Sequence, residues 1–133
     1  MEEATKILIT VRLESADEDL DTARELLRLD RYRAAVNRAY YAIFSTTTAV
    51  LLTKQIERSR HSGVESAFIQ DFIKTGIFEI EFGKIFNYIR KKMEESDYSS
   101  RIKIDRATAE KIVEDAEKFI KRMKEYLKEM GGI

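Results

Sequence analysis

Apolar residues recur every three to four positions along almost the whole chain, and that period predicts helices. A first helix is expected over about Glu3 to Leu29, with Leu8, Val11, Leu20, Ala23 and Leu27 as its apolar stripe. Glu14, Asp17, Glu18 and Asp21 fall on another face. A second helix is expected over about Arg31 to Ile56 with Asp30 as its N-cap, and so short a connection favours an antiparallel hairpin. Glu57 to Ser62 reads as a polar turn. A short third helix, about Gly63 to Lys74, runs toward Gly76 as its C-terminal glycine. The fourth, about Phe78 to Glu95, has Ile80, Phe82, Ile85, Phe86 and Ile89 on its inner side. A loop from Ser96 to Ile104 follows. Asp105 then caps a fifth helix, in which Ala109, Ile112, Val113, Ala116, Phe119, Ile120, Met123 and Leu127 form a nearly unbroken stripe. The chain has no proline. The pattern predicts an all-α, up-and-down bundle of four long helices plus one short helix, with residues 1–133 as a single domain.

Composition narrows the chemistry. A chain of 133 residues is long enough for one real core. Lys plus Arg and Asp plus Glu are both 24, so any contact with RNA must come from a local patch and not from net charge. Cysteine is absent, which excludes disulfides, zinc–thiolate sites and thiol nucleophiles. The one histidine, His61, excludes multi-histidine metal sites and conventional triads within one chain. No cofactor and no metal are expected. The charged start, Met1 to Lys6, does not read as a signal peptide. The longest apolar run, Ala39 to Leu52, is broken by Ser45 and three threonines and falls short of the roughly 20 residues of a membrane span. A cytoplasmic location away from membranes is therefore expected.

The second helix is the informative one. It is apolar on more than one side, which suits a central position or a subunit contact, yet it carries Asn37 and Arg38. Arginine is rarely buried without a partner. Helical spacing lines up Arg38, Tyr41 or Ala42, and Ser45 on one face. Other groupings are weaker. The acidic residues of the first helix could suit a hard cation but read better as a solvated face. Tyr40, Tyr41 and Phe44 could stack on bases, although aromatics in a central helix are more often core. Arg90, Lys91, Lys92 and Arg101 read as an ordinary solvated patch, and no glycine-rich phosphate loop is present.

The run Arg38-Ala39-Tyr40-Tyr41-Ala42-Ile43-Phe44, preceded by Arg33-Ala34-Ala35-Val36-Asn37, resembles the signature helix of HEPN-domain proteins. His61-Ser62-Gly63-Val64, Phe72-Ile73-Lys74-Thr75-Gly76 and Asp97-Tyr98 extend the likeness to the small stand-alone prokaryotic proteins of the UPF0332 type, over about Leu13 to Leu127. Many HEPN proteins are metal-independent endoribonucleases whose motif is an arginine, about four to six residues, then a histidine. The resemblance places that arginine at Arg38, a neighbouring polar residue at Asn37, and Ser45 where the histidine would stand. A serine hydroxyl does not exchange protons near neutral pH as imidazole does. Arg38 can still hold a phosphate bidentately, with Asn37, Tyr41 and Ser45 donating hydrogen bonds. Arg24, Arg28, Arg31 and Arg33 gather around the first turn and either extend that surface toward Arg38 or pair with nearby acids. The resemblance thus implies an RNA- or nucleotide-binding module with a degenerate nuclease site. It also implies a homodimer and a minimal nucleotidyltransferase partner in a toxin–antitoxin-like system.

Two alternatives stand beside it. One is an active endoribonuclease toxin centred on Arg38, with His61 supplied by a partner chain or with Tyr41 and Ser45 acting unusually. The other is a purely structural dimer in which the Arg38 cluster fixes register. Within one chain His61 is not expected to return to Arg38, because a helix running to Ile56 ends roughly 25 Å away. His61 is expected instead to cap or precede the third helix.

Overall fold

The structure, a computed structural model, describes residues 1–98, 101 and 103–133. Ser99, Ser100 and Ile102, expected in the loop before the last helix, lie outside the described residues. The helices are α1 (Glu3–Arg28), α2 (Tyr32–Leu51), α3 (His61–Phe68), α4 (Ile80–Tyr98) and α5 (Arg106–Glu129). A 3-10 turn, Leu52–Lys54, prolongs α2, and a single π turn, Ile69–Ile73, prolongs α3. The all-α architecture of four long helices and one short one is as the periodicity predicts. Central placement of α2 also holds, since it packs against α1, α3, α4 and α5. Thr46 and Thr47 can be buried within it because their hydroxyls donate to the carbonyls of Ala42 and Ile43, at 2.9 and 2.7 Å.

Several expected details shift. In α1 the buried line is Ile9, Leu13, Ala16, Leu20 and Ala23, while Leu8 and Val11 are exposed. At about 100° per residue Val11 lies half a turn from Leu20, so the two cannot share a stripe. Asp30 does not cap α2. It adopts φ 60, and the amide of Arg31 reaches the carbonyl of Leu26 while that of Asp30 reaches Leu27. This is the left-handed closure of a helix C-terminus, so Asp30 terminates α1, and its carboxylate pairs with Arg106. Arg31 occupies the N-cap position of α2 without a side-chain cap. The same closure at Gln55, φ 59, ends α2 and its 3-10 turn before the expected Ile56.

The third helix starts two residues early, at His61, and its second half is the π turn. Gly76, φ 80, closes that segment as anticipated. The fourth helix runs Ile80–Tyr98, with Phe82, Phe86, Ile89 and Met93 inward, whereas Ile80 is 67% exposed. Asp105 does cap α5, its carboxylate accepting from the Thr108 amide at 2.8 Å. Every expected member of the α5 stripe is buried. Between α3, α4 and α5, Phe68, Phe72, Phe78, Phe86 and Phe119 fill the core. Among the described residues no helix is long and apolar enough to cross a membrane.

Candidate functional site

One strip of α2 escapes full burial, and it contains Asn37, Arg38, Tyr41, Phe44 and Ser45. Arg38 is at its centre. Its Nε and Nη2 donate to Asn37 Oδ1 at 3.1 and 2.9 Å, and its Nη1 donates to Asp19 Oδ1 at 3.2 Å. The guanidinium lies over the Tyr41 ring, 4.9 Å from its centre. Asn37 is tied in turn to Asp97 of α4, with Nδ2 donating to Oδ2 at 3.4 Å. The fork is therefore aimed by α1 on one side and by its own helix on the other. Among the described residues, three of the five donors of a guanidinium are engaged and the rest are open. With 37% of its side chain exposed, Arg38 is a held cation and not a buried one.

Beside it is a cleft of about 480 Å³ lined by Arg31, Tyr32, Arg33, Asn37, Arg38 and Asp97, among others. Four of the residues singled out in the sequence thus meet around one cavity, with Tyr41 flanking Arg38. Ser45 is further along the strip and does not line the cleft. For Arg24 and Arg28 the pairing with nearby acids holds. Arg24 binds Glu117 and Asp21, and Arg28 pairs with Glu25. The acidic residues of α1 are likewise spoken for in part, Asp17 by Lys124 and Asp21 by Arg24. No group of metal-ligating side chains forms among the described residues. Arg90, expected to be solvated, is instead held by Glu65 and Glu94.

Sequence reasoning missed Asp19 and the tie from Asn37 to Asp97. Asp19 lies one position before Leu20, and a correctly phased α1 stripe would have pointed it at α2.

His61 gives the largest correction. Its ring stacks on Tyr40 with centres 5.3 Å apart and planes 9° apart, and it also meets Tyr41 and Phe44 at 5.7 and 4.8 Å. Nδ1 is 2.7 Å from the Tyr40 hydroxyl. His61 and Arg38 thus share Tyr41 as a neighbour. The expected separation fails because the connection after Gln55 folds back along α2. The six residues from Gln55 to Arg60 can span about 20 Å at 3.3 Å each, comparable with the roughly 22 Å of helix from Tyr40 to the end of the 3-10 turn at Lys54. Tyr40 is fully buried, and burial, with smaller contributions from Glu65 and Tyr41, pushes its hydroxyl well above the usual phenol range.

A five-helix bundle with this arginine-bearing central helix defines a class, and comparison with known proteins names it. The HEPN domain model matches residues 9–126, and the chain belongs to that family. A UPF0332 protein of Thermotoga maritima is 35% identical over 86% of this chain and 87% of its own length. A Methanocaldococcus jannaschii protein, whose name describes it as a candidate toxin, is 38% identical over 92% of this chain and 90% of its own length. A second protein of that organism, similarly named, is 33% identical over 86% of this chain and 78% of its own length.

Proposed function

We propose that the chain is a toxin-like HEPN module that binds RNA or a nucleotide at the Arg38 cleft. The observation that carries this reading is the meeting of Arg31, Arg33, Asn37 and Arg38 around one cavity, with Arg38 aimed by Asn37 and Asp19 and part of its fork open. Cations on a pre-aimed scaffold suit a phosphate, and the half-buried Tyr41 suits a base. The names of the Methanocaldococcus relatives support the toxin-like part of the reading. As a nuclease the site is degenerate, with Ser45 on the strip where an imidazole would be needed. The incompletely buried face of α2 also suits a homodimer, and a minimal nucleotidyltransferase suits the role of partner.

The test is retention of a fluorescent single-stranded RNA by the purified protein across a salt series. Wild type is expected to bind with an affinity that falls steeply as salt rises, and Arg38→Ala is expected to lose that binding. Equal binding by the two proteins would exclude the Arg38 cleft. A second reading, an active metal-independent endoribonuclease, draws support from the placement of His61 beside the motif helix. Cleavage by wild type in EDTA that disappears in both Arg38→Ala and His61→Phe would establish it. Inert wild type with an active Ser45→His variant would instead support the degenerate site.

A further inference from the structure

The Tyr40–His61 pair has no task in the phosphate site as described. Tyr40 is fully buried, and among the described residues its hydroxyl meets a single hydrogen-bond partner, His61 Nδ1 at 2.7 Å. A buried hydroxyl whose proton finds no acceptor is costly, and burial keeps that proton on the phenol. The hydroxyl therefore donates and Nδ1 accepts, so the neutral imidazole carries its own proton on Nε2. Nε2 has no hydrogen-bond partner among the described residues and is not buried without one, so it faces solvent. Tyr40, Tyr41 and Phe44 clamp the ring on three sides. A clamped ring with one outward N–H is a donor. It is poorly set up as a base, because its only free nitrogen already holds a proton.

Arg38 also lies against Tyr41, and part of its fork has no hydrogen-bond partner among the described residues. Both groups touch the Tyr41 ring, the guanidinium carbon 4.9 Å and the His61 ring centre 5.7 Å from its centre, so the two donors are near enough to reach adjacent phosphates of one strand. We propose that His61 is a second phosphate contact, so that Arg38 and His61 Nε2–H, both beside Tyr41, bind successive phosphates of one single-stranded RNA. The proposal rests on reading the Arg38 face as an RNA site. It narrows the ligand from a free nucleotide to a strand of two or more nucleotides and gives the one histidine a binding role.

Two measurements test it. With a single histidine, the ring nitrogens give one pair of 15N signals. At a pH where the ring is neutral, a protonated Nε2 and a bare Nδ1 are expected in wild type, with a tautomer mixture in Tyr40→Phe. A proton on Nδ1 in wild type would overturn the proposal. The second measurement is binding of uridine 5′-monophosphate and of the 5′-phosphorylated uridine dinucleotide. Wild type should prefer the dinucleotide by on the order of tenfold, as for one added hydrogen bond to a charged group. His61→Phe, which keeps the stacked ring and removes the donor, should erase most of that preference. His61→Gln, which retains an amide donor, should keep more of it. An unchanged preference in a folded His61→Phe overturns the proposal and leaves the Arg38 site standing. If Arg38→Ala alters the binding of neither ligand, the underlying reading fails. Cleavage of RNA by wild type in EDTA that His61→Phe abolishes overturns the donor role in favour of proton transfer.

Discussion

The protein has two aromatic clusters of opposite character. The inner one, Phe68, Phe72, Phe78, Phe86 and Phe119, is closed off between α3, α4 and α5, and its rings are at most 2% exposed. The outer one, Tyr40, Tyr41, Phe44 and His61, flanks α2 at the edge of the bundle, and only Tyr40 in it is fully buried. Phenylalanine can contribute only area and ring contacts. Tyrosine and histidine add polar atoms, the Tyr40 hydroxyl being bonded to His61 Nδ1, and the Tyr41 ring lies against the Arg38 cation. The inner cluster therefore stabilises the fold, and the outer one fixes the direction of polar groups at some cost in burial.

Substitutions should separate the two. The largest effect on stability is expected from Phe119→Ala, about 3–5 kcal/mol in denaturant unfolding, since it opens a void among fully buried rings. Arg38→Ala should do the reverse. Its partly exposed pair with Asp19 contributes about 0–1 kcal/mol, so the fold survives while RNA affinity drops by on the order of a hundredfold, as for loss of a bidentate charged contact. A comparable loss of stability in both variants would erase the distinction. Tyr40→Phe is intermediate, with about 1 kcal/mol lost with the hydrogen bond.

Tyr40→Phe should also change the alkaline limb of the stability curve. The folded pKa of Tyr40 is raised above its unfolded value, so the unfolded state gives up that proton first. Wild type should hold its stability below about pH 10 and lose it above. Tyr40→Phe should lose less over the same range, and parallel curves would contradict this. Smallest of all, Ser45→Ala should change stability by less than about 0.5 kcal/mol, as for a half-exposed side chain away from any special feature.

Sequence reading succeeded where the determinants are local. Asp105 and the α5 stripe follow from a cap and a heptad-like spacing within one helix, and both hold. Asp30 was misplaced because the same residue type that caps a helix also tolerates the left-handed conformation that closes one. Only the backbone decides between them. Arg31, Arg33, Asn37 and Arg38 could be grouped because they share one helix. Asp19 and Asp97, which fix that group, come from α1 and α4, and their arrival depends on packing that no single-helix pattern encodes. The position of His61 is set by a connection after Gln55 that folds back along α2, a direction that no helical pattern encodes.

The cleft and its surroundings draw on separate helices, with Asp19 from α1, Arg38 from α2, His61 from α3 and Asp97 from α4. No two-helix fragment can assemble it. A ligand of this site therefore binds the native state and ignores partly docked forms, which makes occupancy a thermodynamic brake on opening anywhere in the bundle. At a ligand concentration 100 times Kd the brake amounts to about 2.7 kcal/mol, a substantial share of what holds a domain of this size together. In a cell, the lifetime of the folded chain would then rise and fall with the supply of whatever fills the cleft.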